Sequence, residues 1–286
     1  VLLWFANDPT VPDTAEERTE QPPRATSPSL ARVARPACAM TAGHTSRLKL
    51  ATTFTMDADR KALTNSLSVL SPGQAGQNKS VQGANSVALS FELVWRYRVL
   101  STAGPGGQGV LAIRSTPPRA GDSNPALARL RDRQGDVFFL RMGGDCRLAA
   151  IGFTGKIPAA FRIVQRMLAT GLNVVVASAK RRWVREMRNI QGRGVRVFER
   201  TTAGYSAHVT RYLAAPDKNL LAPLSTHKTA SKTTFSLAEG WIKHLNDLEK
   251  VAYRNAKGET VFTVATTLSA TPVDEQAAPV GDFPMQ

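Results

Sequence analysis

Gly104-Pro105-Gly106-Gly107-Gln108-Gly109 follows a run of alternating apolar residues and matches G-x-G-x-x-G. In a dinucleotide site such glycines let the backbone approach a pyrophosphate, which then sits on the N-terminus of the following helix. Here Val110–Ile113 continues as a strand and Thr116-Pro117-Pro118 stops it, so the segment reads as a hairpin loop. No G-K-[ST] follows, which excludes a Walker-type phosphate loop. Asp57-Ala58-Asp59 offers oxygens to a hard cation, but no third or fourth ligand is near in sequence, and a solvated turn is the simpler reading. His44, His208, His227 and His244 share no ligand spacing with cysteine or carboxylate, and neither G-x-S-x-G nor H-E-x-x-H occurs. Catalytic residues, metal and cofactor are therefore all expected to be absent. Asn78-Lys79-Ser80 is an N-glycosylation sequon, which matters only in a eukaryotic secreted chain.

The remaining chemistry is charge and sulfur. Lys and Arg number 37 against 22 Asp and Glu, a net +15 in 286 residues. That excess favours polyanions: nucleic acid, anionic lipid headgroups or acidic polysaccharide. The densest basic stretch runs through Arg181, Arg182, Arg185, Arg188, Arg193 and Arg196, read as a basic surface. The competing reading is a solvated sheet face with charged edge protection. RNA-binding surfaces interleave such cations with aromatics on which bases stack. Only Trp183 and Phe198 are available here, and both read as core. Cys38 and Cys146 are too few for a disulfide scaffold and too far apart for a zinc site of short spacing. In an oxidising compartment they pair with each other; in the cytosol they are two buried thiols. The opening VLLWFANDP, apolar and then polar, reads as the tail of a signal peptide or membrane anchor, or as a stub packed on the domain surface.

Strands must position whatever site exists. From Ser86 to Leu100, Val87, Leu89, Phe91, Leu93, Trp95, Tyr97 and Val99 occupy every second position, the period of a strand with one buried face. Similar texture marks Arg47–Met56, Val110–Ser115, a hairpin of Asp136–Arg141 and Cys146–Phe153, a meander from Arg181 to Leu213, Thr233–Leu237 and Thr260–Ala270. Phe161, Val164, Leu168 and Leu172 are spaced three and four apart, which predicts one amphipathic helix over about 157–171. Gly240–Tyr253 fits helix and strand equally, and Ala214–Lys232 reads as a loop. The fold class is α+β with β dominant: a strongly curved antiparallel sheet or barrel-like meander, one crossing helix and long loops. Residues 1–36 read as a stub and linker, 37–271 as one β-rich domain, and 272–286 as a C-terminal linker.

The order of these features carries a resemblance. Cys38, Gly43 and the strand Arg47–Phe54 come first, followed by a long strand and the hairpin FFLRMGGDCRLAAIGF. The helix Ala160–Ala169 is followed by Trp183, Glu186 and Gly192, and then by Gly240-Trp241 before the last hairpin. This resembles bacterial exported proteins whose N-terminal β domain is similar to the vitellogenin-type lipid-transfer fold and often precedes HEAT-like repeats. The resemblance covers roughly Cys38 to Thr271 and carries no catalytic residue. It implies a non-enzymatic domain that binds lipid or another amphipathic ligand, or serves envelope assembly with a protein partner; with the apolar stub at Val1, the expected place is periplasmic or extracellular, the chain exported through that stub or tethered by it to the inner membrane. Leu89, Phe91, Leu93, Trp95 and Tyr97 would line the groove; the competing reading makes them a packed core. The rival class is a basic nucleic-acid-binding or ribonucleoprotein-associated subunit, whose binding would depend steeply on salt.

Overall fold

A computed structural model of the chain describes residues 38, 40–59, 86–102, 109–120, 137–154, 157–176, 180–189, 191–214, 224–238 and 240–273. Its strands are β1 (Thr45–Ala58), β2 (Ser86–Thr102), β3 (Gly109–Ser115), β4 (Arg119–Ala120), β5 (Val137–Met142), β6 (Leu148–Phe153), β7 (Arg182–Asn189), β8 (Gly192–Thr201), β9 (Gly204–Ala214), β10 (Ser225–Ala238), β11 (Trp241–Arg254) and β12 (Thr260–Pro272). The helix α1 spans Ala159–Gly171, between β6 and β7.

Among the described residues the strands form one sheet in the order β6-β5-β3-β2-β1-β12-β11-β10-β9-β8-β7, with β4 paired to β2. Every pairing is antiparallel. The edge strands β6 and β7 therefore run in the same direction, and the sheet does not close into a barrel. A twisted sheet of this width has to curl, and its concave face folds over α1, which packs against both edge strands.

The period-two pattern decides which side chains face inward. Leu48, Leu50 and Thr52 of β1 lie opposite Trp95, Leu93 and Phe91 of β2, and all are buried. On the helix the buried positions are Phe161, Val164, Gln165, Leu168 and Ala169. The helix ends at Gly171, where a Cβ would lie 2.5 Å from Leu268 Cδ2; glycine lets the last turn settle on β12. After the helix the chain continues as a buried irregular segment, Leu172–Val176, whose β-branched residues do not extend the helix. Val176 N–H donates to Asp145 O at 2.8 Å, and Trp183 Nε1 donates to Val175 O at 3.2 Å. The segment thereby ties β7 to the β5–β6 turn.

Two expectations are corrected. The expected loop over 214–232 is the first half of β10 from Ser225 onward, because Ser, Thr, Lys and His occupy both of its faces and hide the alternation. The ambiguous Gly240–Tyr253 segment is β11, a strand. The hairpin-loop reading of Gly104–Gln108, the sequon at Asn78, the linker at 1–36 and all of the 272–286 linker from residue 274 on lie outside the described residues, while Gly109 opens β3 and Pro272 ends β12.

The β8–β9 turn depends on Gly204, which has φ +137°; a Cβ at this position would lie only 2.5 Å from Phe235 O. Gly204→Ala combines disfavoured backbone geometry with a backbone clash and is expected to cost about 1–3 kcal/mol. Urea unfolding measures this directly, and a loss below about 0.5 kcal/mol would mean the turn relaxes freely.

Candidate functional site

The concave face holds two apolar clusters. The larger joins α1 to β1, β2, β3, β5 and the β7–β12 strands and contains Phe91, Leu93, Trp95 and Tyr97, all buried. Trp95 Nε1 donates to Gln165 Oε1 of the helix at 2.8 Å, and its ring meets Phe138 edge-on at 5.4 Å. Tyr97 meets Trp241 edge-on at 4.6 Å. The expected groove residues are thus packed beneath α1. Leu89 is half-buried at the junction with the second cluster, which consists of Phe54, Val251, Tyr253, Val261, Phe262 and Val264 and includes no helix residue.

Between the clusters lies a buried polar belt that the sequence reading missed. Arg196, 6% exposed, was expected on the basic surface and instead points inward. It lies two positions before Phe198, which stacks on Trp183 inside the sheet, and strand periodicity puts both on the same face. The guanidinium Nη2 lies 3.4 Å from Glu249 Oε2 and 3.9 Å from Asp247 Oδ1. Asn189 Nδ2 donates to both Glu249 carboxylate oxygens, at 2.9 and 2.8 Å. Thr233 Oγ1 donates to Asp247 Oδ1. Tyr253 OH donates to Gln191 Oε1 at 2.9 Å, and Gln191 Nε2 donates to Thr266 Oγ1 at 3.2 Å.

One buried guanidinium thus faces two buried carboxylates. Burial pushes Asp247 and Glu249 above the usual carboxylate range, and Arg196 with the hydrogen bonds from Thr233 and Asn189 offsets part of that. Burial and the Glu249 charge raise Tyr253 well above an ordinary phenol. The last turn of α1 abuts the belt through Thr170 and Gly171, enclosing a cavity of about 30 Å³ against Asn189, Arg196, Asp247 and Glu249. That space suits one or two water molecules and is too small for a reacting substrate. Among the described residues no group of three or more His, Cys, Asp and Glu could hold a metal.

The other sequence-derived residues lie elsewhere. Arg181, Arg182, Arg185, Arg188 and Arg193 are exposed, with Arg193 Nε 3.0 Å from Glu186 Oε1. Cys38 and Cys146 form a disulfide with Cα atoms 5.1 Å apart, joining the segment before β1 to the β5–β6 turn. Asp57 pairs with Ser86 in the β1–β2 ladder, and Asp59 N–H donates to Val261 O at 2.8 Å. On the outer face, Ala51, Thr53, Ser90, Lys232, Asn246, Thr267 and Ser269 line an open trough of about 430 Å³.

The neighbouring parity of Phe198 was the available signal for Arg196. For Asp247 and Glu249 the signal was Leu245, which shares their period-two face on β11 and is fully buried.

No protein-family model matches the chain, and no curated protein matches it in sequence. Among solved structures it is similar to one described as "Lipid-protein interactions in lipovitellin", at 8% identity and a TM-score of 0.46. The match covers 85% of this chain and 26% of that one, so the chain spans about a quarter of that protein.

Proposed function

We propose that this chain is a non-enzymatic β-rich domain, exported to the periplasm or beyond, that takes a lipid or other amphipathic molecule against the concave face of its sheet. The observation that carries this reading is the order of surfaces on that face: two apolar clusters with a fixed polar belt between them, and helix residues in only one. Sites for amphipathic ligands combine an apolar lining with a few convergent polar groups. The acyl part would lie along Phe54, Val251 and Phe262, with the polar end toward Asn189, Arg196 and Gln191. Because the enclosed cavity is only about 30 Å³, a ligand enters by displacing α1 or the side chains under it. The Cys38–Cys146 bridge supports the oxidising compartment. The domain boundaries proposed with it are residues 37 and 271.

Native mass spectrometry of protein isolated from its source without reductant tests both parts. The expected spectrum shows the two-dalton deficit of one disulfide together with the mass of a bound lipid. Free thiols on both cysteines sink the export reading. An apo chain that neither carries lipid nor takes up a fluorescent fatty-acid probe sinks the ligand reading.

A further inference from the structure

We propose that the outer face of β7, β8 and β9 is a docking surface for an anionic lipid bilayer. The register fixes which residues share that face. Arg182 lies opposite Glu199, Val184 opposite Val197, Glu186 opposite Val195 and Arg188 opposite Arg193. In the next strand Val197 faces His208 and, past a register shift, Val195 faces Arg211; Leu213 is the extra residue at a second shift, between Tyr212 and Ala214. The inward side chains of the same strands are Trp183, Phe198 and Ala207, which pack in the core.

Two things distinguish this face from an ordinary solvated sheet. Two of its apolar side chains are exposed, Val184 at 52% and Leu213 at 39%, while Val197 on the same face is buried. They lie among Arg182, Arg188, Arg193 and Arg211, all exposed. Charge is the second. On this face Arg182, Arg188, Arg193 and Arg211 stand against Glu186 and Glu199, with Lys180 and Arg181 just before β7. Arg193 pairs with Glu186, and Arg182, Arg188 and Arg211 are the other exposed guanidinium groups around Val184 and Leu213. Elsewhere on the outer face, the trough across β1, β12, β11 and β10 is lined mostly by Thr, Ser and Asn, with Lys232 and the exposed Leu248 among them.

Guanidinium groups around protruding aliphatic side chains fit a phosphate-bearing interface. The arginines bind headgroups, and Val184 and Leu213 enter the shallow apolar layer beneath them. Bases of a nucleic acid would need aromatic platforms, and the aromatics of these strands face inward: Trp183, Phe198 and Tyr205 pack with each other and with Phe235, and Tyr212 packs against the second cluster.

The surface lies on the opposite side of the sheet from the proposed ligand site, so the two can fail separately. The test is co-sedimentation of the full chain with phosphatidylcholine vesicles and with vesicles in which one lipid in three is phosphatidylglycerol. The wild type is expected on the anionic vesicles alone, released by added salt. Arg182→Glu with Arg211→Glu is expected to weaken binding by roughly 25-fold or more, at about fivefold for each cation removed. Arg182→Lys with Arg211→Lys should retain it, and Val184→Asp should reduce it at unchanged unfolding temperature. Equal binding to both vesicle types, no binding, or an unaffected charge-reversal variant overturns the proposal. So does tighter binding of a single-stranded RNA oligonucleotide that the same variant abolishes. Bound lipid retained by the variant in native mass spectra would show the internal site standing without the surface.

Discussion

Arg196→Met is expected to destabilise the fold by about 3–5 kcal/mol, the range seen when one partner of a buried ion cluster is removed. Against the roughly 5–15 kcal/mol that holds a domain together, that is a large fraction. The loss comes less from the attraction removed than from the charges left behind. Asp247 and Glu249 remain buried, with Thr233 and Asn189 as donors but without a countercharge. Replacing all three charged residues by apolar ones of similar volume should cost less than the single change, because no charge is then stranded.

The same change carries a pH signature. Burial already raises both carboxylates above their unfolded values. The folded cluster therefore binds more protons than the unfolded chain, and its contribution is fully present below the unfolded pKa and lost as pH rises through the folded one. Without Arg196 the folded values climb further. The deficit of the variant should be largest near neutral pH and shrink as pH falls toward the ordinary carboxylate range. Urea unfolding of wild type and variant between about pH 4 and pH 8 measures it. A deficit below about 1 kcal/mol, or one that grows in acid, would show that the cluster does not act as a buried ion site.

Opening the Cys38–Cys146 bridge is the other large effect. The two residues are 108 apart in sequence, and cross-linking a loop of that size lowers the chain entropy of the unfolded state by about 4–5 kcal/mol. Cys38→Ala with Cys146→Ala is expected to lose about 2–5 kcal/mol, as native disulfides generally do on removal. The bridge also anchors the segment before β1. Cys38 N–H donates to Gly144 O at 3.2 Å, and Met40, two residues on, packs in the main cluster. Denaturant unfolding of the oxidised wild type and the double variant reads the difference. A stability unchanged to within about 0.5 kcal/mol would mean the segment before β1 is held by packing alone.

β2 was legible because each of its residues announces its face: apolar at every second position from Val87 to Val99. The helix was legible for the same reason, its stripe at Phe161, Val164 and Leu168 ending where the β-branched run begins. β10 was not, since hydroxyl and charged residues occupy both its faces. The belt was hidden more deeply. Arg196 sits in the basic stretch that reads as surface, and its partners Asp247 and Glu249 lie far along the chain on β11. A charged residue inside a period-two pattern looks solvated until the opposite charge is known to face it. Local sequence set the strand period, the helix stripe, the turn glycines and the excess of cations, because those depend on neighbours within a few residues. Which charges went inside, and that β6 and β7 end as parallel edges with α1 packed against both, was settled by strand order and register. Burying a charge is tolerable only when its partners arrive from other strands.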